Sequence, residues 1–273
     1  MPTTDALEII NRDHPRGPFR AAIFDFDGTL SLLRRNWQGV MIPMMVDILA
    51  ATGTNETRDD LHACVDEFVM RLNGKQTIYQ MIQLAGEVTK RHGAALEPLV
   101  YKHRYHDLLW EQVGGRVESV RSGRVDADML TVPGSRSLLE WLHGQCLTLY
   151  LASGTDITYV RDEVAVLGLD HFFGERIYGA IDDYKNFSKA MIIEQMIRDA
   201  GFSGSEIVGF GDGYVEIEEI KKVGGLAIGV ASDEEAREGI NDWKRNRLIQ
   251  AGADIIIGDY RELDSLQSLI PLA

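Results

Sequence analysis

The sequence predicts an α/β protein, a parallel sheet covered on both faces by helices and interrupted once by an inserted helical domain. Three observations carry that prediction. Short apolar runs alternate with stretches at helical spacing, as in units whose strands are buried on both faces. The runs end on small polar or acidic residues, and ligands of such sheets bind outside those strand ends. Finally, more than a hundred residues separate the first run from the second, whereas a crossover needs about a dozen.

The first strand is expected at Ala21–Phe26, apolar until Asp25, Asp27 and Gly28 arrive at its carboxyl end. Within the long gap, Trp37–Ala50, Glu56–Leu72, Gln76–Arg91 and Glu97–Gln112 carry apolar residues near helical spacing, with Leu61, Val65, Phe68 and Leu72 as one stripe. A helical domain is therefore expected over 31–130, leaving 1–30 and 131–273 as the core, with Val132-Pro133-Gly134 marking the return. Further strands are expected at Cys146–Ala152, Ile207–Phe210, Leu226–Val230 and Ala253–Ile257. Helices are expected at Ser137–His143, Ile157–Leu167, Ser188–Ala200, Val215–Val223 and Asp233–Ile249.

Composition narrows the function. The 273 residues are 45% apolar and 26% charged, an ordinary globular balance. With 28 basic against 42 acidic side chains the formal charge is −14, which argues against nucleic acid and against an anionic membrane surface as partners. Cys64 and Cys146 form no disulfide framework. Residues 1–18 lack the apolar core of a secretion signal, and no stretch reaches the ~20 apolar residues of a membrane span. A soluble, cytoplasmic protein is expected.

Four segments stand at strand or helix ends: Asp25-Phe26-Asp27-Gly28-Thr29, Ser153-Gly154-Thr155, Lys189, and Gly211-Asp212-Gly213-Tyr214-Val215-Glu216. Asp25 and Asp27 are two apart, so both carboxylates can point to one side, and Gly28 permits a sharp exit. An ionised aspartate can attack phosphorus, and a second carboxyl with a raised pKa can move the proton. The set and its order resemble the haloacid dehalogenase-like hydrolases, specifically the phosphatases with a helical cap inserted after the first strand. The resemblance runs from about residue 20 to the end.

That resemblance implies a Rossmann-like parallel sheet core with an inserted α-helical cap domain. It implies Asp25 as nucleophile, forming an aspartyl-phosphate, and Asp27 as general acid and base. It further implies one Mg²⁺ held by the Asp25 carboxylate, the Asp27 carbonyl and Asp212, with Glu216 direct or through water. Mg²⁺ and Lys189 together balance Asp25, Asp212 and Glu216 before a phosphate arrives. Ser153 and the Gly154 amide are expected at a helix start, as a cradle for the phosphate. Lys185 is an alternative to Lys189, which Ser188 can fix by capping its helix.

Arg34 and Arg35 follow the first motif and are candidates to meet the non-phosphate part of a substrate. Other features carry less. His103 and His106 beside Asp107 lack a matching ligand pair and are expected on a solvated helix face. Gly209, Gly211 and Gly213 fail as a dinucleotide loop, because Tyr214 stands where the third glycine belongs. The Met41, Met44, Met45, Ile48 stripe is expected in the core. The expected activity is hydrolysis of a small phosphate monoester, a sugar phosphate being the most plausible. A phosphomutase of the same family and a non-catalytic phosphometabolite sensor are the alternatives. Asp27 speaks against the family's dehalogenases, which lack this carboxylate, and its ATPases, which have threonine there.

Overall fold

In chain order the elements are β1 (Leu7–Ile9), β2 (Ala21–Phe24), α1 (Gln38–Ala50), α2 (Arg58–Arg71), α3 (Thr77–Lys90), α4 (Pro98–Arg121), α5 (Ser135–Gly144), β3 (Thr148–Asp156), α6 (Ile157–Val166), α7 (Asp170–Phe173), β4 (Ile177–Ala180), α8 (Lys189–Ala200), β5 (Ile207–Gly211), α9 (Tyr214–Lys222), β6 (Leu226–Val230), α10 (Asp242–Gln250), β7 (Ile255–Ile257) and α11 (Leu263–Leu269). The computed structural model describes residues 7–182 and 188–271. No helix among them is long and apolar enough to cross a membrane.

The chain divides into two compact units, Met1–Arg35 with Ser119–Ala273, and Asn36–Glu118. The first holds a seven-stranded sheet in the order β1-β7-β6-β5-β2-β3-β4. Every residue of β2, β5, β6 and β7 is buried, which explains their unbroken apolar sequences. Across the sheet centre the Phe24 and Phe210 rings stack at 4.6 Å, and Phe173 meets Phe24 edge-on at 6.2 Å. Such pairs add to plain area burial.

In the second unit α1 packs with α2 and α3. The predicted α2 stripe is buried, Leu61, Val65 and Phe68 almost completely and Leu72 at 9% exposure. Thr57 opens this helix with a capping box: its side chain accepts from the Asp60 amide while the Asp60 carboxylate accepts from its own. Met41, Met44 and Met45 lie in the core as expected. His103 is exposed, but His106, expected to be solvated, is buried with Tyr101, Tyr105 and Leu109 on one face of α4. Spacings of four to buried Lys102 and three to buried Leu109 turn it inward.

Three expectations are corrected. Residues 31–35 and 119–130 group with the sheet, not the insertion. Backbone pairing explains this: Leu32 N–H donates to Leu130 O at 2.8 Å and Val132 N–H to Leu30 O at 3.0 Å, around a Ser31–Thr131 bridge. The helix expected over Asp233–Ile249 begins only at Asp242. The Asp233 carboxylate instead accepts from the Glu235 and Ala236 amides in a turn, and Asn241 caps α10. Finally, two edge strands were not expected, β4 and the antiparallel β1, which pairs Leu7 with Ile257.

Candidate active site

The strand register assembles the site. Phe24 of β2 pairs in parallel with Leu151 of β3 on one side and Phe210 of β5 on the other. The next residue of each strand therefore ends at one level, and the Asp25 amide donates to Phe210 O at 2.9 Å. Beyond that level stand Asp27, Ser153 with Thr155, and Asp212. Gly28 has φ 74°, and a Cβ there would lie 2.3 Å from Asp212 Oδ2. A side chain there would push the Asp212 carboxylate aside on a left-handed backbone that favours glycine.

Asp25 is 7% exposed, with Lys189 Nζ 2.8 Å from its Oδ1. Lys189 is the first residue of α8, fixed because the Ser188 hydroxyl accepts from the Met191 amide as N-cap. The same ammonium donates to Glu216 Oε1, in the first turn of α9. Glu216 is thus held by the lysine, and its Oε2 is buried with no hydrogen-bond partner. Burial pushes the Asp25 carboxyl up to about 6; Lys189 opposes that shift, and Asp212 adds to it. Lys185, the alternative cation, lies outside the described residues.

Asp27 has different partners. Thr155 Oγ1 donates to its Oδ2 at 2.8 Å, and Ser153 Oγ does so at 3.4 Å. Its Oδ1 is buried with no hydrogen-bond partner, 3.9 Å from Arg34 Nε. Burial pushes Asp27 up to about 6 as well, with the Arg34 charge opposing and Glu163 adding. Arg34 is itself buried and grips Glu163, Nη2 to Oε1 at 2.6 Å and Nε to both oxygens at 3.1 Å. Its guanidinium also lies over the Tyr159 ring. Arg34 is therefore committed within the sheet unit, and Arg35 is the half-buried residue after it.

Ser153 and Gly154 do not stand at a helix start. β3 continues to Asp156 through a register shift after Ala152, and α6 begins at Ile157. In this extended stretch Ser153 Oγ accepts from the Thr155 amide at 3.0 Å, with half-buried Gly154 between them. A third carboxylate, Asp212, faces Lys244, with Nζ 2.9 Å from Oδ2. Lys244 also reaches Glu234 Oε1 at 2.7 Å.

Asp25, Asp27, Ser153, Lys189, Asp212 and Glu216 thus gather at the carboxyl ends of the central strands, with Arg34 beside Asp27. Sequence reasoning missed Thr155, Glu163, Lys244 and Glu234 as parts of this cluster. Thr155 lay within a motif already singled out. Glu163 and Lys244 carry no local signal, because each meets its partner only through the sheet fold.

The donor set suits a small hard cation. Asp25 and Asp212 offer carboxylate oxygens, Asp27 its carbonyl, and buried carboxylate oxygens on Asp27 and Glu216 have no hydrogen-bond partner. Among the described residues no three His, Cys, Asp or Glu side chains form a metal cage.

A parallel sheet with acidic residues at its central strand ends, and an insertion after the first of them, defines a class of α/β hydrolase. The family model of haloacid dehalogenase-like hydrolases matches residues 19–224, and the chain belongs to that family. A search of curated proteins finds no match. Solved structures share the fold. A predicted phosphoglycolate phosphatase from Haemophilus somnus 129PT superposes with TM-score 0.60 at 15% identity, covering 92% of this chain and 99% of its own. A family IA hydrolase from Entamoeba histolytica has TM-score 0.60 at 18% identity, with 92% and 99% coverage. A β-phosphoglucomutase from Clostridium difficile has TM-score 0.59 at 13% identity, with 92% and 97% coverage.

Proposed function

We propose that this protein is a Mg²⁺-dependent phosphatase of a small phosphate monoester, a sugar phosphate, working through an aspartyl-phosphate. The observation that carries this reading is the unequal pairing of two adjacent carboxylates. Asp25 is held by an ammonium, whereas Asp27 is held by hydroxyls. An ammonium at Asp25 favours the ionised nucleophile and can also meet a phosphate oxygen. Asp27, balanced near neutrality, can both give and take a proton.

In the first step an Asp25 oxygen forms a bond to phosphorus as the bond to the leaving oxygen breaks, and Asp27 donates its proton to that oxygen. In the second, water attacks the phosphorus of the aspartyl-phosphate while Asp27 takes the water proton. The bond to Asp25 breaks and phosphate leaves. The Asp25 carboxylate, the Asp27 carbonyl and Asp212 would hold Mg²⁺, with Glu216 acting through Lys189 or a water. When bound, the ion offsets phosphate charge and orients the reacting groups. Thr155 and Ser153 orient Asp27, and Ser153 with Gly154 faces the phosphate. Arg34, through Glu163, steadies the charge beside Asp27, and Arg35 remains the candidate for the rest of the substrate. The insertion, Asn36–Glu118, would act as the cap that excludes water.

A panel of phosphorylated metabolites, with released phosphate as readout, tests the proposal. Steady release from one substrate without a bisphosphate activator supports it. Isomer formation with negligible free phosphate would establish a phosphomutase, and binding without turnover a sensor.

A further inference from the structure

Lys244 belongs to none of the four motifs, yet it is a second buried lysine in the carboxylate cluster. It stands on α10 at 8% exposure, with Nζ 2.9 Å from Asp212 Oδ2, 2.7 Å from Glu234 Oε1 and 3.4 Å from Ser232 Oγ. The Ser232 hydroxyl donates to Gly28 O at 2.7 Å, which ties this group to the Asp25–Thr29 loop. At Gly28 a Cβ would lie 2.3 Å from Asp212 Oδ2 and 3.0 Å from Glu234 Oε1. Two carboxylates thus converge on bare backbone, and an ammonium on a helix stem stands between them.

Without that ammonium, Asp212 and Glu234 would confront each other as like charges in a poorly hydrated place, which strongly disfavours the folded chain. With it, Asp212 already has a cation before any ion arrives. A divalent ion binding Asp212 would have to share the carboxylate with a fixed positive charge, and the repulsion between the two cations weakens binding.

We propose that Lys244 is a built-in counter-cation of Asp212, which stabilises the metal-free protein and lowers its affinity for Mg²⁺. The inference rests on the reading above that Asp212 holds Mg²⁺. It makes the ion exchangeable: the site is compensated with or without it, so loss of the ion does not unfold the cluster.

The test is calorimetric titration of chelator-treated protein with MgCl₂, together with its melting temperature with and without Mg²⁺. Lys244→Met keeps the apolar stem and removes the charge. It should bind Mg²⁺ roughly tenfold more tightly or better. Its metal-free form should melt lower than wild type, and Mg²⁺ should raise its melting temperature more. Lys244→Arg, which keeps the charge, should stay near wild-type affinity. Glu234→Gln leaves Asp212 as the lysine's one carboxylate and should weaken Mg²⁺ binding, which covers the case of a Lys244→Met protein that does not fold metal-free. Unchanged or weaker affinity in Lys244→Met, or unchanged or tighter affinity in Glu234→Gln, overturns the role of Lys244. Wild-type protein that binds no Mg²⁺ overturns instead the metal reading beneath it.

Discussion

Arg34 and Glu163, 129 positions apart in sequence, form a buried ion pair with Nη2 and Oε1 at 2.6 Å. The pair stands beside Asp27 and joins the loop after β2 to α6. Its geometry supplies the desolvated charges with partners, so breaking it from one side leaves an uncompensated ion. Glu163→Gln should destabilise the protein by about 3–5 kcal/mol, whereas the double variant Arg34→Met, Glu163→Met should recover much of that loss. Chemical denaturation measures both. A Glu163→Gln protein as stable as wild type would show that the pair contributes nothing to folding.

Asp25→Asn should reduce phosphate release by roughly a thousandfold or more while the far-UV CD spectrum is unchanged, because it removes the proposed nucleophile and no packing volume. Retention of a substantial fraction of the wild-type rate would refute an aspartyl-phosphate.

The same two carboxyls set a pH dependence for the metal-free protein. Both are pushed up to about 6 from 3.8. Folded protein therefore holds more protons than unfolded protein between those values. The associated stability is fully present below about 3.8 and is lost as pH rises through about 6. Melting temperature in chelator should accordingly fall between pH 5 and pH 7. Asp25→Asn should flatten that fall and, at pH 7, add up to about 2–3 kcal/mol. A melting temperature that rises over this interval in wild type, or an equally steep fall in the variant, would contradict the assignment.

Thr155→Val removes the 2.8 Å hydrogen bond to Asp27 without changing side-chain size. That bond favours the ionised carboxyl, so its loss should move the upper limb of the kcat/KM pH profile, where the proton donor is lost, upward. The rate near neutrality should fall roughly tenfold, mainly in kcat. An unshifted profile would mean that Thr155 does not orient the proton donor.

Chelation should abolish activity and Mg²⁺ should restore it. Ca²⁺ should restore it poorly, since its looser coordination lets a carboxylate bind through both oxygens and turns the attacking one away. Full turnover in chelator, measured as phosphate release, would remove the metal from the mechanism.

The sheet's interior was legible because buried parallel strands are written as unbroken apolar runs, and the gathering of the candidate site's acids because they follow those runs directly. Leu226–Val230 was expected and found with the same ends. What was missed has physical reasons. β1 is three residues long and half-buried, too short for a pattern to declare itself. The turn at 233–241 carries helix-like spacing, but the Asp233 side chain competes for the backbone amides. Ser153 and Gly154 read as a helix start, whereas a bulge prolongs the strand. Lys244 lies 32 positions beyond Asp212 and reaches it by way of β6 and α10. No local signal encodes such a meeting.

The Ser31–Thr131 bridge bears on how this chain could be assembled from simpler ones. A hundred residues separate the two positions, yet their flanks exchange backbone hydrogen bonds as neighbours do in a hairpin. To the sheet, the segment between them is a single long excursion that departs and returns at one doorway. Closing a loop depends only weakly on its length, each doubling adding about 0.6 kcal/mol. Strand order and register therefore constrain the excursion's two ends and leave its contents unspecified. Such a doorway allows the hydrolytic chemistry to be inherited intact while the segment beyond it is lengthened, exchanged or rewritten.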